Sequence, residues 1–178
     1  MLDCEHITGP AVARLRTTLT MDTVTIDDVP VERNPMEVHD IRKPVSRKLG
    51  TEHFAANYFE LEPGDSFSGS LHRHHDQEEV FYIEQGQTTF EVGLDREEVD
   101  VAGGELIRFE PGEFQQGYNS GDERVVGWAF GAPGATHDWD DLESRAHCPE
   151  CDAETTQSVA IADGRFELTC TECGNVQG

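Results

Sequence analysis

The chain has 178 residues and a formal net charge of −23, from 36 acidic against 13 basic side chains. That balance argues against a nucleic-acid partner, which needs clustered Lys and Arg, and no apolar run reaches the ~18 residues of a membrane span. Only Lys43 and Lys48 are lysines, and the acids are spread along the chain rather than blocked. This pattern predicts a folded protein adapted to high salt.

Residues 1–20 lack the continuous apolar stretch of a signal peptide and are expected to be a disordered extension that carries a lone thiol, Cys4. A cytoplasmic location is expected. Residues 21–30 alternate briefly and stop at Pro30, which predicts a short edge strand. Residues 31–50 mix charge with Pro35 and Pro44 and read as loop, with a short strand near 38–41. Residues 54–61 predict a strand closed by Pro63-Gly64, with Ala55, Asn57, Phe59 and Leu61 on its inward face.

The next stretch, residues 61–86, carries the most chemistry. His72 and His74 are two apart, so a strand puts both imidazoles on one face. Glu79 follows His74 by five positions, an offset that one unbroken strand cannot bring to that face. A turn at His75-Asp76-Gln77 solves this, and Glu79 then opens a second strand that ends at Gln85-Gly86. Two imidazoles and one carboxylate from adjacent strands suit a divalent transition metal with open coordination positions. The competing reading is a polar hairpin with surface histidines.

Further strands are predicted at residues 88–92, 99–101, 105–109, 114–118 and 123–130, each punctuated by Gly or Pro. With no convincing helix, the expected class is all-β, a sandwich or barrel. Composition then shifts to a Gly/Pro-rich and acidic segment. The expected organisation is a β-barrel over 21–131, a linker over 132–146 and a small C-terminal unit over 147–178.

That last unit contains Cys148, Cys151, Cys170 and Cys173 in the pattern C-x2-C-x18-C-x2-C. Each pair presents two thiolates from a tight knuckle, and four thiolates complete a closed tetrahedron for structural zinc. A hairpin around Asp163-Gly164 is predicted between them, so the unit reads as a zinc ribbon. A redox-active pair would instead precede a helix, which is not predicted here. A closed four-thiolate site leaves no open position for catalysis.

Two segments carry a family resemblance. His72, His74, Glu79 and Gly86 are similar to the first motif of the cupin superfamily, G(X)5HXH(X)3,4E(X)6G, with Ser66 where the leading glycine belongs and Gly64 two residues early. That departure implies a longer loop or bulge before the histidines. Gly104, Gly112 and Asn119 resemble the second motif, G(X)5PXG(X)2H(X)3N, with Glu110 in the place of the proline and Gln115 in the place of the fourth, histidine ligand. The resemblance implies a double-stranded β-helix (jelly-roll) barrel followed by the zinc ribbon. It also implies a homodimer paired through N-terminal strands. A small cupin with such a ribbon resembles uncharacterised haloarchaeal proteins.

Under that resemblance His72, His74, Glu79 and Gln115 would hold Fe, Mn, Ni or Zn in the barrel. Phe81, Asn57 and Phe59 would line a small-molecule pocket. Cupin activities of this kind include oxygenases, isomerases and decarboxylases. The alternative is a non-catalytic ligand-binding or regulatory module whose zinc ribbon contacts a protein partner.

Overall fold

A computed structural model describes residues 21–34, 36–135, 142–162 and 165–178. The expected N-terminal extension, residues 1–20, lies outside the described residues. The chain forms β1 (Ile41–Pro44), helix α1 (Val45–Leu49), β2 (Ala55–Leu61), β3 (His72–His74), β4 (Glu78–Gln85) and β5 (Gln87–Val92). It continues with β6 (Glu97–Ala102), β7 (Leu106–Phe109), β8 (Gln115–Tyr118) and β9 (Val125–Ala132). The C-terminal part contributes β10 (Leu142–Cys148), β11 (Ala153–Ala162), β12 (Arg165–Cys170) and β13 (Val176–Gln177).

Two antiparallel sheets result. One has the order β1-β2-β9-β4-β7, and the other runs β13-β12-β11-β10-β3-β8-β5-β6. Strand alternation sends Phe59, Leu61, Phe81, Ile83, Phe90, Val101, Phe109, Val125 and Ala129 between them, where with Phe67 they form one buried cluster. Phe67, Phe81 and Phe90 sit with ring centroids 5.1 to 6.1 Å apart, in offset arrangements favoured by the ring quadrupole. The class is all-β, as predicted, with a jelly-roll barrel.

Several local expectations are corrected. Residues 21–30 form no strand. Ile26–Asp28 instead make a 3-10 turn, with the Thr25 hydroxyl bonded to Asp28 Oδ2 and Val29 buried behind it. The first strand starts at Ile41 rather than at 38, because His39 is buried against Phe59 and its Nδ1 donates to Ser66 O rather than joining a ladder. A short helix, α1, was not expected. It begins after Pro44 and ends at Gly50, whose φ of 70° is the left-handed stop that glycine adopts at low cost. The part of the expected linker from residue 142 onward is strand β10, and β9 runs on to Ala132.

The extra length before the histidines is visible. Ser66 bridges Tyr118 and Phe67 N bonds Gly117 O, yet the next register pair is His72 with Gln115. Five residues on one side therefore face two on the other, and the surplus bulges out at residues 68–71.

Candidate metal centre

The barrel site assembles from three strands. β3 supplies His72 and His74, β4 supplies Glu79 and β8 supplies Gln115. The β3 to β8 register places His72 opposite Gln115. His74 is fixed at its carbonyl, which accepts from Gly112 N at 2.7 Å in the turn after Pro111. Gly112 has a φ of 91° there, so the glycine is required for backbone reasons. Asn119, from the same motif, is structural: its amide donates to Leu61 O at 3.0 Å and Glu123 O at 2.8 Å.

The three sequence-predicted ligands converge. His74 Nε2 lies 3.6 Å from Glu79 Oε1, and His72 Nε2 lies 3.9 Å from Glu79 Oε2. His72 Nδ1 sits 3.0 Å from Ser70 O, an acceptor only, so Nδ1 carries the proton and the Nε2 lone pair faces the site. Gln115 Nε2 donates to Glu79 Oε2 at 2.6 Å and to His72 Nε2 at 3.2 Å. The amide thus satisfies two acceptors that a cation would otherwise satisfy. Its Oε1 is buried without a hydrogen-bond partner. Turning the amide about its last bond exchanges the two atoms and directs Oε1 at the cation position. The donor set of two imidazoles, one carboxylate and one amide oxygen therefore fits a divalent ion. Burial pushes the Glu79 carboxyl up to about 7, against the lowering hydrogen bond from Gln115.

The expected pocket residues have packing or polar partners of their own. Phe81 and Phe59 belong to the buried cluster, at 3 % and 4 % exposure, so packing accounts for them. Asn57 is half-buried and accepts from Arg42 Nη2 at 3.1 Å. Arg42 was not singled out in the sequence. It pairs with Phe59 in the β1–β2 register, so it shares the inward face. His75 lies outside the centre and bonds Glu143 at 3.0 Å.

A second cluster gathers Cys148, Cys151, Cys170 and Cys173, all four with sulfurs within 4.8 Å of one another. Cys148 and Cys173 sulfurs are 3.6 Å apart and those of Cys151 and Cys170 are 3.9 Å apart, too long for disulfides. A zinc ion with sulfurs at about 2.3 Å sets tetrahedral edges of about 3.8 Å. Cys170 Sγ is 3.2 Å from Thr155 Oγ1, and hydrogen bonds from Thr155 and from the Cys173 backbone lower its thiol to about 6. β11 and β12 pair Ala162 with Arg165, leaving two residues for the connection. That connection, the expected Asp163-Gly164 turn, lies outside the described residues.

Residues 57–128 match the family model described as the cupin domain. The barrel has a cupin-type fold. Its fold is similar to a sugar phosphate isomerase from a cupin superfamily of Silicibacter pomeroyi, with a TM-score of 0.59 and 18% identity over 88% of this chain and 97% of that one. An uncharacterised conserved protein with a double-stranded β-helix domain from Klebsiella pneumoniae gives 0.52 and 20% over 67% and 96%. A protein from Acidithiobacillus ferrooxidans gives 0.55 and 19% over 78% and 80%. Comparison with curated proteins gives no match. Among the described residues, no helix is long and apolar enough to cross a membrane.

Proposed function

We propose that this cupin-domain protein holds a divalent transition metal in the barrel through His72, His74 and Glu79, with Gln115 turned to offer Oε1, and that the site binds and acts on a small molecule. The observation that carries this reading is the fixed tautomer of His72, whose Nε2 lone pair faces Glu79 and His74. Such an ion, when bound, supplies Lewis acidity at its open positions. The chain's own residues set the geometry: Ser70 O orients His72 and Gly112 N orients the His74 backbone, and before the amide turns Gln115 Nε2 holds the Glu79 carboxylate. The four cysteines hold zinc as a closed, structural site. A homodimer in a haloarchaeal cytoplasm completes the reading.

Metal analysis of the purified protein tests it. Two metal equivalents per chain are expected, falling to one in His72→Ala and His74→Ala. An unchanged metal count in both variants overturns the barrel site. Ligand class is then read by screening small anions and sugars for thermal stabilisation. Sugar phosphates belong in that screen because the Silicibacter pomeroyi neighbour carries that description.

The second reading is a non-catalytic regulatory module whose ribbon contacts a protein partner. Gln115 favours it, since a neutral amide replaces the imidazole at the fourth ligand position and loosens the hold on the ion. Metal-independent ligand binding in His72→Ala would select this reading over the first.

A further inference from the structure

The four-cysteine unit is not a separate bead. Its first strand, β10, is hydrogen-bonded to β3, the strand that carries both histidines. Leu142 pairs with His74, Glu143 with Arg73 and Ser144 with His72. Arg145 N adds a bond to Leu71 O at 2.8 Å. On its other edge β3 has one register pair, His72 with Gln115. A three-residue strand preceded by a bulge has little stability of its own, so most of its ladder comes from β10.

Side chains strengthen this join at the point that matters. Ser144 Oγ is 2.5 Å from Ser70 Oγ, and the Ser70 carbonyl is the group that holds His72 Nδ1. Ser144 is 7 % exposed, so its side of the hydroxyl pair is shielded from water. Glu143 accepts from Arg73 Nε at 2.7 Å and from His75 at 3.0 Å, which brackets His74 on both sides. Arg73 also stacks over the Phe114 ring at 4.5 Å, next to Gln115. At the far end, β10 delivers Cys148 four residues beyond Ser144, roughly 13 Å along the strand. Arg145 ties it to β11 through Thr156 Oγ1 at 3.0 Å and Glu154 O at 2.8 Å. Glu154 reaches back to the barrel at Arg96, 2.6 Å away.

We infer that Ser144 is a positioning residue for the barrel metal site, and that the four-cysteine site anchors the strand presenting it. Loading the cysteines with zinc then favours metal binding at His72, His74 and Glu79, and stripping that zinc weakens it. This inference rests on the two-metal reading above. Because coupling is reciprocal, barrel metal should also tighten zinc retention.

The test uses the full chain loaded with one zinc equivalent, which fills the thiolates and leaves the barrel open, titrated with Mn(II), a hard ion that prefers carboxylate to thiolate donors, with binding followed by electron paramagnetic resonance. Ser144→Ala should weaken Mn(II) binding by about tenfold or more, the size of effect seen when a group orienting a ligand is lost. Ser144→Thr, which keeps the hydroxyl, should restore affinity to within about twofold of the original. Both should keep the zinc. A Cys148→Ser, Cys173→Ser protein should lose zinc and weaken Mn(II) by at least as much as Ser144→Ala. Unchanged Mn(II) affinity in Ser144→Ala, or a Ser144→Thr protein as weak as Ser144→Ala, overturns the positioning role. Unchanged affinity after zinc loss overturns the anchor. If the original chain takes up neither Mn(II) nor Fe(II), the barrel-metal reading fails instead. Hydrogen exchange then decides the coupling alone: amides at residues 71–75 should lose protection when zinc is stripped, and unaltered protection there overturns it.

Discussion

Gln115 donates to Glu79 Oε2 at 2.6 Å while its own Oε1 is buried without a partner. The arrangement suits a cation-free centre, because the amide hydrogens stand in for positive charge between Glu79 and His72. A cation changes the preferred orientation of the amide and recruits the orphaned oxygen. Replacing the amide by imidazole removes the competing donor and adds a stronger ligand. Gln115→His should therefore bind Mn(II) or Fe(II) tighter by about tenfold or more, by analogy with other single-group changes around metal ligands. Calorimetric titration of the two proteins side by side checks this. Equal affinities would mean that position 115 does not reach the ion.

Glu79 links the centre to stability. Burial raises its carboxyl from 4.5 in the unfolded chain to about 7 in the folded, metal-free protein. Between those values the folded state binds more protons than the unfolded one. Its contribution is therefore fully present below pH 4.5 and is lost as pH rises through 7. A permanently neutral side chain avoids that loss. Metal-free Glu79→Gln should gain stability over the parent as pH rises, levelling at about 3 kcal/mol above pH 7. Urea denaturation from pH 4.5 to 8 measures the difference. A flat difference across that range would show that Glu79 is not held protonated by burial.

The same centre shows how far local pattern reaches. His72, His74 and Glu79 could be brought together from the sequence because strand alternation and one polar turn fix their faces. The cysteine pairs were legible because each knuckle is a local structure. The β10 to β3 ladder was not, since it joins residues about 70 apart through segments whose composition reads as linker. Helix α1 escaped because five residues carry no helical period and only packing on β2 and the Gly50 stop define it. The orphaned Gln115 oxygen is a property of side-chain geometry, which no spacing rule contains.

Gly117 has a role that the motif spacing did not mark. It lies two residues after Gln115 on β8, so it faces inward with it. A Cβ there would meet Phe90 Cε1 at 2.5 Å and Phe67 Cδ2 at 2.9 Å. Both rings belong to the buried cluster, and Phe90 has no exposed surface to move into. Gly117→Ala should cost about 1–3 kcal/mol through overpacking. Because Gln115 rides on the same four-residue strand, the variant should also weaken barrel metal binding. Thermal unfolding and a Mn(II) titration read the two effects; a fully stable variant would mean that the rings repack without strain.

Charge crowding has its own address on β5 and β6. Glu91 and Glu98 stand directly opposite in the ladder, and Asp100 follows on the same strand. Arg96 relieves Glu91 by bonding its Oε2, whereas among the described residues Glu98 has only the Tyr118 hydroxyl at 3.3 Å. Like charges facing across a strand pair destabilise by about 0.2–1 kcal/mol. Glu98→Gln keeps an acceptor for Tyr118 and removes one of the facing charges, so it should stabilise the fold by that amount in 0.1 M salt. Screening shortens to about 3 Å at 1 M salt, so the gain should vanish there while the parent itself becomes more stable. Melting curves at both salt concentrations give the answer. A gain that persists unchanged at 1 M would place its origin in packing rather than in charge.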